Sequence, residues 1–486
     1  MSYPKAGDPN PQVRVGVCRL DGADVKTQWV DLSRYGNEPI LVSWVSWSPK
    51  GDRLFLQVQD RAQTWLDLLV TDAAGRNPQV LFREQTGAWV ESPGDPRWRR
   101  DGSFVWLSPR DGYRHVYLYS GDGELIKQLT QGQWEVRELL SFDSKNDSLF
   151  FSAARGKAYN LHAYRLDLMT GEVLQLTQGA GTHVVKFSDD HKYFVDTVSS
   201  INQPEEFYVH RADGTKLRRL NAGNDDRFDF LDLGDHRFLT VDPESDQPMD
   251  AMLITPPDFD PSKKYPVLVH VYAGPQAPRV RNRFGGAWYL WHQMLAQHGY
   301  VVWMCDNRSA SYRSSKHVWP IHRNLAENEM KDIEIGVDWL KQQPWVDADR
   351  IGIWGWSYGG YMTAYALTHS DSFKLGISGA PVTDWRNYDS IYTERLMGLP
   401  QDNPEGYEKS SVINSAVDLH GKMLLIHGSV DENVHMSNSL QLAKALQKAG
   451  KQFELMIYPN SRHSIRDPEQ LRHLHQLMFE FVRKNL

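Results

Sequence analysis

A pentapeptide in the first half of the chain returns at a fixed distance: Gln128-Leu-Thr-Gln-Gly132 recurs 47 residues later as Gln175-Leu-Thr-Gln-Gly179. Each copy follows a turn-and-strand unit, Asp122-Gly-Glu-Leu-Ile126 and Thr170-Gly-Glu-Val-Leu174, and a third such unit is Asp213-Gly-Thr-Lys-Leu217. A second marker is an aromatic residue, a polar turn and a strand. It begins at Trp47, Trp98, Phe142 and Phe187, at intervals of 51, 44 and 45 residues. Between the markers lie short strands such as Ser103–Ser108 and Ser148–Ser152. A period of roughly 40–50 residues with several short strands is the pattern of propeller blades, each burying its faces against its neighbours. Residues 1–245 are therefore expected to form four blades with a partial one ahead of them, an all-β propeller portion of about four to five blades. A β-sandwich is the alternative for so many short strands.

From about Ala251 the pattern changes to alternating strands and helices, which implies a largely parallel sheet in an α/β domain. Expected strands are Ala251–Thr255, Tyr265–Tyr272, Tyr300–Cys305, Arg350–Trp354, Leu375–Ser378, Met423–His427 and Phe453–Tyr458. Expected helices are Glu329–Gln342, Tyr358–Thr368, Ser437–Lys448 and Glu469–Lys484. The stretch Asp242-Pro-Glu-Ser-Asp-Gln-Pro248 reads as a linker, dividing the chain into residues 1–245 and 246–486. A length of 486 residues agrees with two domains.

Net charge is −7, which gives no attraction to nucleic acid or an anionic membrane. The longest apolar runs suit buried strands and fall short of a membrane span. The opening residues, Met1-Ser-Tyr-Pro-Lys-Ala-Gly7, show no charged-then-apolar leader pattern, and the compartment stays open. Cys18 and Cys305 provide neither a disulfide framework nor metal-ligand spacing; no metal or cofactor is expected.

The chemistry concentrates in Gly355-Trp-Ser-Tyr-Gly359. It sits where the strand ending at Trp354 turns directly into a helix, the context that a nucleophile elbow requires. Ser357 then needs a base and an orienting acid, in the chain order Ser, Asp or Glu, His. The loop after Met423–His427 carries Asp431, and the loop after the last strand carries His463. Glu432 is the rival acid, more often a solvated loop charge. His427 reads as a satisfied core histidine, and His473 and His475 fall on the last helix. The backbone N–H of Tyr358 is one expected oxyanion donor. A His-Gly-Gly loop for the second donor is missing, and Tyr272 stands in its place, either as a hydroxyl donor or as an ordinary strand-end aromatic.

The run Gly355–Met362, with Tyr392-Thr-Glu-Arg-Leu-Met-Gly-Leu-Pro400 and His427-Gly-Ser-Val-Asp-Glu-Asn-Val434, resembles the dipeptidyl peptidase IV group of the prolyl oligopeptidase family. Tyr3-Pro-Lys-Ala-Gly7, Pro9-Asn-Pro11 and Gly112-Tyr-Arg-His115 are similar to propeller segments of that group. The resemblance implies an α/β-hydrolase capped by an eight-bladed propeller, releasing X-Pro or X-Ala dipeptides from peptide N-termini. It implies Tyr272 as the side-chain oxyanion donor. Trp385, Tyr388, Tyr392, Val382 and Val434, with Tyr358 beside them, would line a proline pocket, and Asn433 would hold the preceding carbonyl. It also implies homodimerisation through the last helix and a propeller arm.

Two features depart from the family. Its Glu-Glu pair, which grips the substrate's α-ammonium, precedes the Tyr-Pro-Lys-Ala-Gly segment, where this chain starts. Glu205-Glu206 lies in a different motif, and the role is not transferred to it. The blade count matches an eight-bladed domain cut near its middle, so a shortened relative or a piece of a longer chain is expected. The second departure, Asp306-Asn-Arg-Ser-Ala-Ser311, replaces a glycine-rich loop. The competing functions are a prolyl endopeptidase or acylaminoacyl-peptidase, a carboxylesterase, and an inactive scaffold.

Overall fold

The computed structural model describes residues 3–20, 26–221, 231–242 and 245–486. Four antiparallel four-stranded sheets follow one another in the first half. They run Ile40–Gln85, Arg97–Gln128, Val136–Gln175 and Thr182–Arg219, each in sequential strand order. A two-stranded ribbon, Gly16–Cys18 with Thr27–Trp29, precedes them. These are the expected four blades and a partial one.

Neighbouring blades share their cores. Phe55, Leu66 and Leu68 of the first pack with Phe104, Trp106 and Tyr117 of the second. Val105, Val116 and Leu118 of the second pack with Leu149, Phe151 and Tyr164 of the third. The repeated pentapeptide has a local cause. Thr130 Oγ1 accepts the Val116 N–H at 2.9 Å and meets His115 Nδ1 at 3.1 Å. Its counterpart Thr177 accepts the Ala163 N–H at 3.1 Å and meets His162 Nδ1 at 3.2 Å. Each threonine thus satisfies a buried amide where a blade's outer strand departs.

The second half is built on one eight-stranded sheet. Its strands are β1 (His236–Val241), β2 (Met249–Ile254), β3 (Tyr265–His270), β4 (Val301–Cys305), β5 (Val346–Trp356), β6 (Leu375–Gly379), β7 (Lys422–Gly428) and β8 (Glu454–Tyr458). Their spatial order is 1-2-4-3-5-6-7-8. β1, β2 and β4 pair antiparallel, and every later pairing is parallel. Asp242–Pro248, read from sequence as a linker, contains the connection between β1 and β2, and the sheet begins upstream of residue 246. The helices are α1 (Gly286–Gln297), α2 (Glu327–Lys341), α3 (Tyr358–His369), α4 (Ser390–Met397), α5 (Pro404–Lys409), α6 (Ser437–Lys448) and α7 (Pro468–Asn485).

Alternation along β3 sends Val267 and Val269 into the core shared with α2 and α3, and Leu268 into the core shared with α1 and α7. Both faces of the sheet are therefore covered, as a parallel sheet requires. Residues 358–368 of α3 are all buried, so the elbow is held from every side.

Candidate active site

β5 ends at Trp356 and α3 begins at Tyr358, leaving Ser357 alone to make the turn. Its backbone adopts φ 60° and ψ −119°, a conformation that an L-residue keeps only under constraint. The constraint is visible on both sides. A Cβ at Gly355 or Gly359 would run into the Val271 carbonyl, so only glycine allows β3 and the elbow to approach. The Ser357 N–H donates to the Gly379 carbonyl at 2.8 Å, and the Tyr361 N–H donates to the Ser357 carbonyl at 2.9 Å.

Two loops at the same sheet edge deliver the partners. His463 Nε2 lies 3.0 Å from Ser357 Oγ, and His463 Nδ1 lies 2.7 Å from Asp431 Oδ2. The other Asp431 oxygen accepts the N–H groups of Asn433 and Val434, each at 2.9 Å. His427, fully buried, stands 3.3 Å from Asp431 and is itself fixed by Ser439 and the Val434 carbonyl. Burial works to raise the Asp431 pKa. Hydrogen bonds from His427 and His463, with the Asn433 amide, outweigh it and hold the carboxyl well below the usual carboxylate range. An ionised Asp431 places the proton on His463 Nδ1 and leaves Nε2 free to accept from serine. Trp356 Nε1 donates to the His463 carbonyl at 2.8 Å, fixing the histidine loop against the elbow.

The serine opens on a cavity of about 340 Å³ lined by Tyr272, Tyr358, Val382, Trp385, Tyr388, Tyr392 and Asn433. Trp385 is the hub. Its ring lies 5.4 Å from Tyr358, 5.9 Å from Tyr388 and 6.1 Å from Tyr392. Tyr388 donates to the side-chain oxygen of Asn433 at 2.9 Å, and Tyr3 donates to the Asn433 carbonyl at 2.8 Å. Tyr272 reaches the same cavity, with the Arg279 guanidinium 4.3 Å above its ring. Val434 is not in this wall; it is fully buried, and its backbone serves Asp431 and His427. Glu432 is exposed and pairs with Arg462. Glu205 pairs with Arg283, and Glu206 with Arg219, neither of them in the cavity wall.

Four supports had no clear signal in the sequence. Arg61 of the first blade clamps the buried Glu394 of α4 through two nitrogens at 2.6 Å, and the Gly7 N–H donates to the same carboxylate at 2.8 Å. The segment around Lys5 bridges to Asp389, and the Ala6 N–H donates to the Tyr388 carbonyl at 3.1 Å. The helix carrying Tyr392 is thus held by the propeller portion. Beneath Tyr358, its hydroxyl donates to the buried Glu329 at 2.7 Å. In the departing loop, Asp306 accepts the N–H groups of Arg279 and Val280, and Arg308 pairs with Asp332.

Fold and constellation define a propeller-capped α/β-hydrolase with an oriented serine. Comparison with known proteins agrees. A profile of the prolyl oligopeptidase family matches residues 289–486, and one of the dipeptidyl peptidase IV N-terminal region matches residues 1–205. Dipeptidyl-aminopeptidase B of Coccidioides posadasii is 32% identical over 96% of this chain, and dipeptidyl peptidase 8 of Mus musculus is 30% identical over all of it. The chain spans 53% and 63% of those two proteins, between half and two thirds of their lengths. The crystal structure of Porphyromonas gingivalis dipeptidyl peptidase 4 superposes with a TM-score of 0.93 at 32% identity, covering 100% of this chain and 68% of that one. This chain belongs to the prolyl oligopeptidase family, in its dipeptidyl peptidase IV-like group.

Proposed function

We propose that the chain is a serine peptidase that releases X-Pro or X-Ala dipeptides from peptide N-termini. The observation that carries this reading is the hydrogen-bonded series Asp431–His463–Ser357 opening directly on the aromatic box. A flat-walled box gives a rigid pyrrolidine wide contact at little entropic cost, and burying its methylenes is worth about 2 kcal/mol.

With the second residue in the box, Ser357 Oγ attacks its carbonyl carbon while His463 Nε2 takes the hydroxyl proton. Asp431 stabilises the resulting imidazolium. The oxyanion is met by the Tyr358 N–H, at the positive end of α3, and by the Tyr272 hydroxyl. His463 then protonates the leaving amine, and a dipeptidyl ester remains on Ser357. Water, deprotonated by His463, hydrolyses that ester. Asn433 holds the carbonyl of the first residue through its side-chain amide.

The test is hydrolysis of Gly-Pro- and Ala-Pro-anilides by wild type and Ser357→Ala. Turnover confined to wild type is expected, and equal rates would sink the reading. One observation favours a second reading, an endopeptidase or acylaminoacyl-peptidase: among the described residues, no carboxylate lines the cavity. Acetyl-Gly-Pro-anilide separates the two. Rejection of it supports the dipeptidase, and equal turnover supports the alternative.

A further inference from the structure

A second cavity, of about 460 Å³, adjoins the first, and Arg279 and Trp356 belong to both walls. Its remaining wall includes His270, His292, Trp288 and Trp354, with Arg281 and Arg283. The aromatic box lies on the Tyr358 side of the serine. The loop of His463, the group positioned to protonate a leaving nitrogen, is tied to Trp356 on the other side. The second cavity therefore meets the serine site at Arg279 and Trp356.

Three arginines alternate along the segment 279–283, and burial alternates with them. Arg279, Arg281 and Arg283 are exposed, while Val280 and Asn282 are buried. All three arginines line the second cavity. The buried residues hold that display rigidly. Asp306 accepts the Arg279 and Val280 amides at 2.7 and 3.0 Å. Asn282 is bonded to Tyr159, Asn160, Thr182 and Ile201 of the propeller portion. Arg283 pairs with Glu205 at 3.4 Å, whereas Arg279 and Arg281 make no direct ion pair among the described residues and feel only the attraction of the buried Asp306.

Three nitrogens of the same wall are unsatisfied. His270 Nδ1, His292 Nε2 and Trp354 Nε1 are buried without a hydrogen-bond partner, although His292 and Trp354 are only 3% and 2% exposed. Buried polar nitrogens normally find partners, so three around one cavity point to a polar occupant. Burial drives both imidazoles towards neutrality, which leaves the arginines as the cavity's charge. Paired guanidinium forks suit a carboxylate.

We propose that the second cavity receives the leaving peptide, and that Arg281, flanked by Arg279 and Arg283, selects a carboxylate just downstream of the cleaved bond. That carboxylate is the free C-terminus of a short peptide or an acidic side chain. The assignment rests on Ser357 and the box acting as proposed above.

The test is calorimetric binding to Ser357→Ala, which needs no turnover. The probes are Gly-Pro-Ala, Gly-Pro-Ala-amide and Gly-Pro-Asp-amide. A carboxylate probe should bind about tenfold tighter than Gly-Pro-Ala-amide, the effect of one charge-assisted contact. Preference for Gly-Pro-Ala alone identifies the C-terminus, and preference for Gly-Pro-Asp-amide alone identifies the side chain. Adding Arg281→Gln, an exposed substitution, should reduce either preference below about twofold. Equal binding of all three probes, absence of binding, or a preference untouched by Arg281→Gln would overturn the proposal. Wild-type turnover of Gly-Pro-anilide, whose leaving group has no carboxylate, independently tests the dipeptidase reading.

Discussion

Ser357, Asp431 and His463 come from three loops more than a hundred residues apart at the extremes, yet they meet within hydrogen-bond distance because β5, β7 and β8 end at one edge of the sheet. Asp431→Asn would keep this geometry but favour the wrong imidazole tautomer. A fall in kcat of roughly 10³–10⁴ is expected, measurable with Gly-Pro-anilide. Tyr272→Phe removes only a hydroxyl. It should lower kcat about 10²–10³-fold while Tm stays within about 2 °C of wild type. Glu329 predicts a pH effect. Burial lifts its pKa from 4.5 to about 7, despite the Tyr358 hydrogen bond. The folded state therefore keeps a proton that the unfolded chain loses, and stability falls as pH rises from about 4.5 to about 7. The loss amounts to up to about 3 kcal/mol. Glu329→Gln should flatten the decline of Tm across that window, whereas an unchanged slope would remove Glu329 as its source.

At the scale of elements, α4 shows how the box is held. Breaking the Arg61–Glu394 clamp with Arg61→Ala leaves a buried carboxylate with only the Gly7 amide as a partner. A destabilisation of about 3 kcal/mol is expected, with a raised KM for Gly-Pro-anilide because Tyr392 rides on that helix; denaturant unfolding and steady-state kinetics measure the two effects. No sequence pattern announced this pair, since its residues are separated by 333 positions and meet only after both domains form. Strands with apolar runs, such as β3 and β7, were legible because both their faces are buried. β1 was not: His236-Arg-Phe-Leu-Thr-Val241 is a polar edge strand, and its partner is known only from the sheet. Helix α1 was also missed. Its Gly-Gly start and its aromatic residues hide a helical face that becomes evident in its packing on β4. The elbow was fully legible because strand, glycine-flanked serine and helix are adjacent in the chain. Val434 looked like a pocket residue by motif, but the turn that serves Asp431 carries its side chain into the core.

The whole molecule is joined across its two halves close to the cavity. Besides the Arg61 clamp, Gln63 donates to the Ile391 carbonyl at 2.7 Å, Ser315 donates to Glu135 at 2.7 Å, and Asn282 is held by the third and fourth blades. Domains interlocked by buried polar contacts lose those contacts together, so calorimetry should show one principal unfolding transition. Two well-separated transitions would mean that the halves are independent. Among the described residues no helix is long and apolar enough to cross a membrane. The central claim, that Ser357 is the nucleophile serving the aromatic box, is tested most directly by fluorophosphonate labelling of the folded protein followed by peptide mapping. The account predicts that the label resides on Ser357 and that Gly-Pro-anilide slows its attachment. Attachment to another residue, no attachment, or a labelling rate indifferent to that substrate would contradict it.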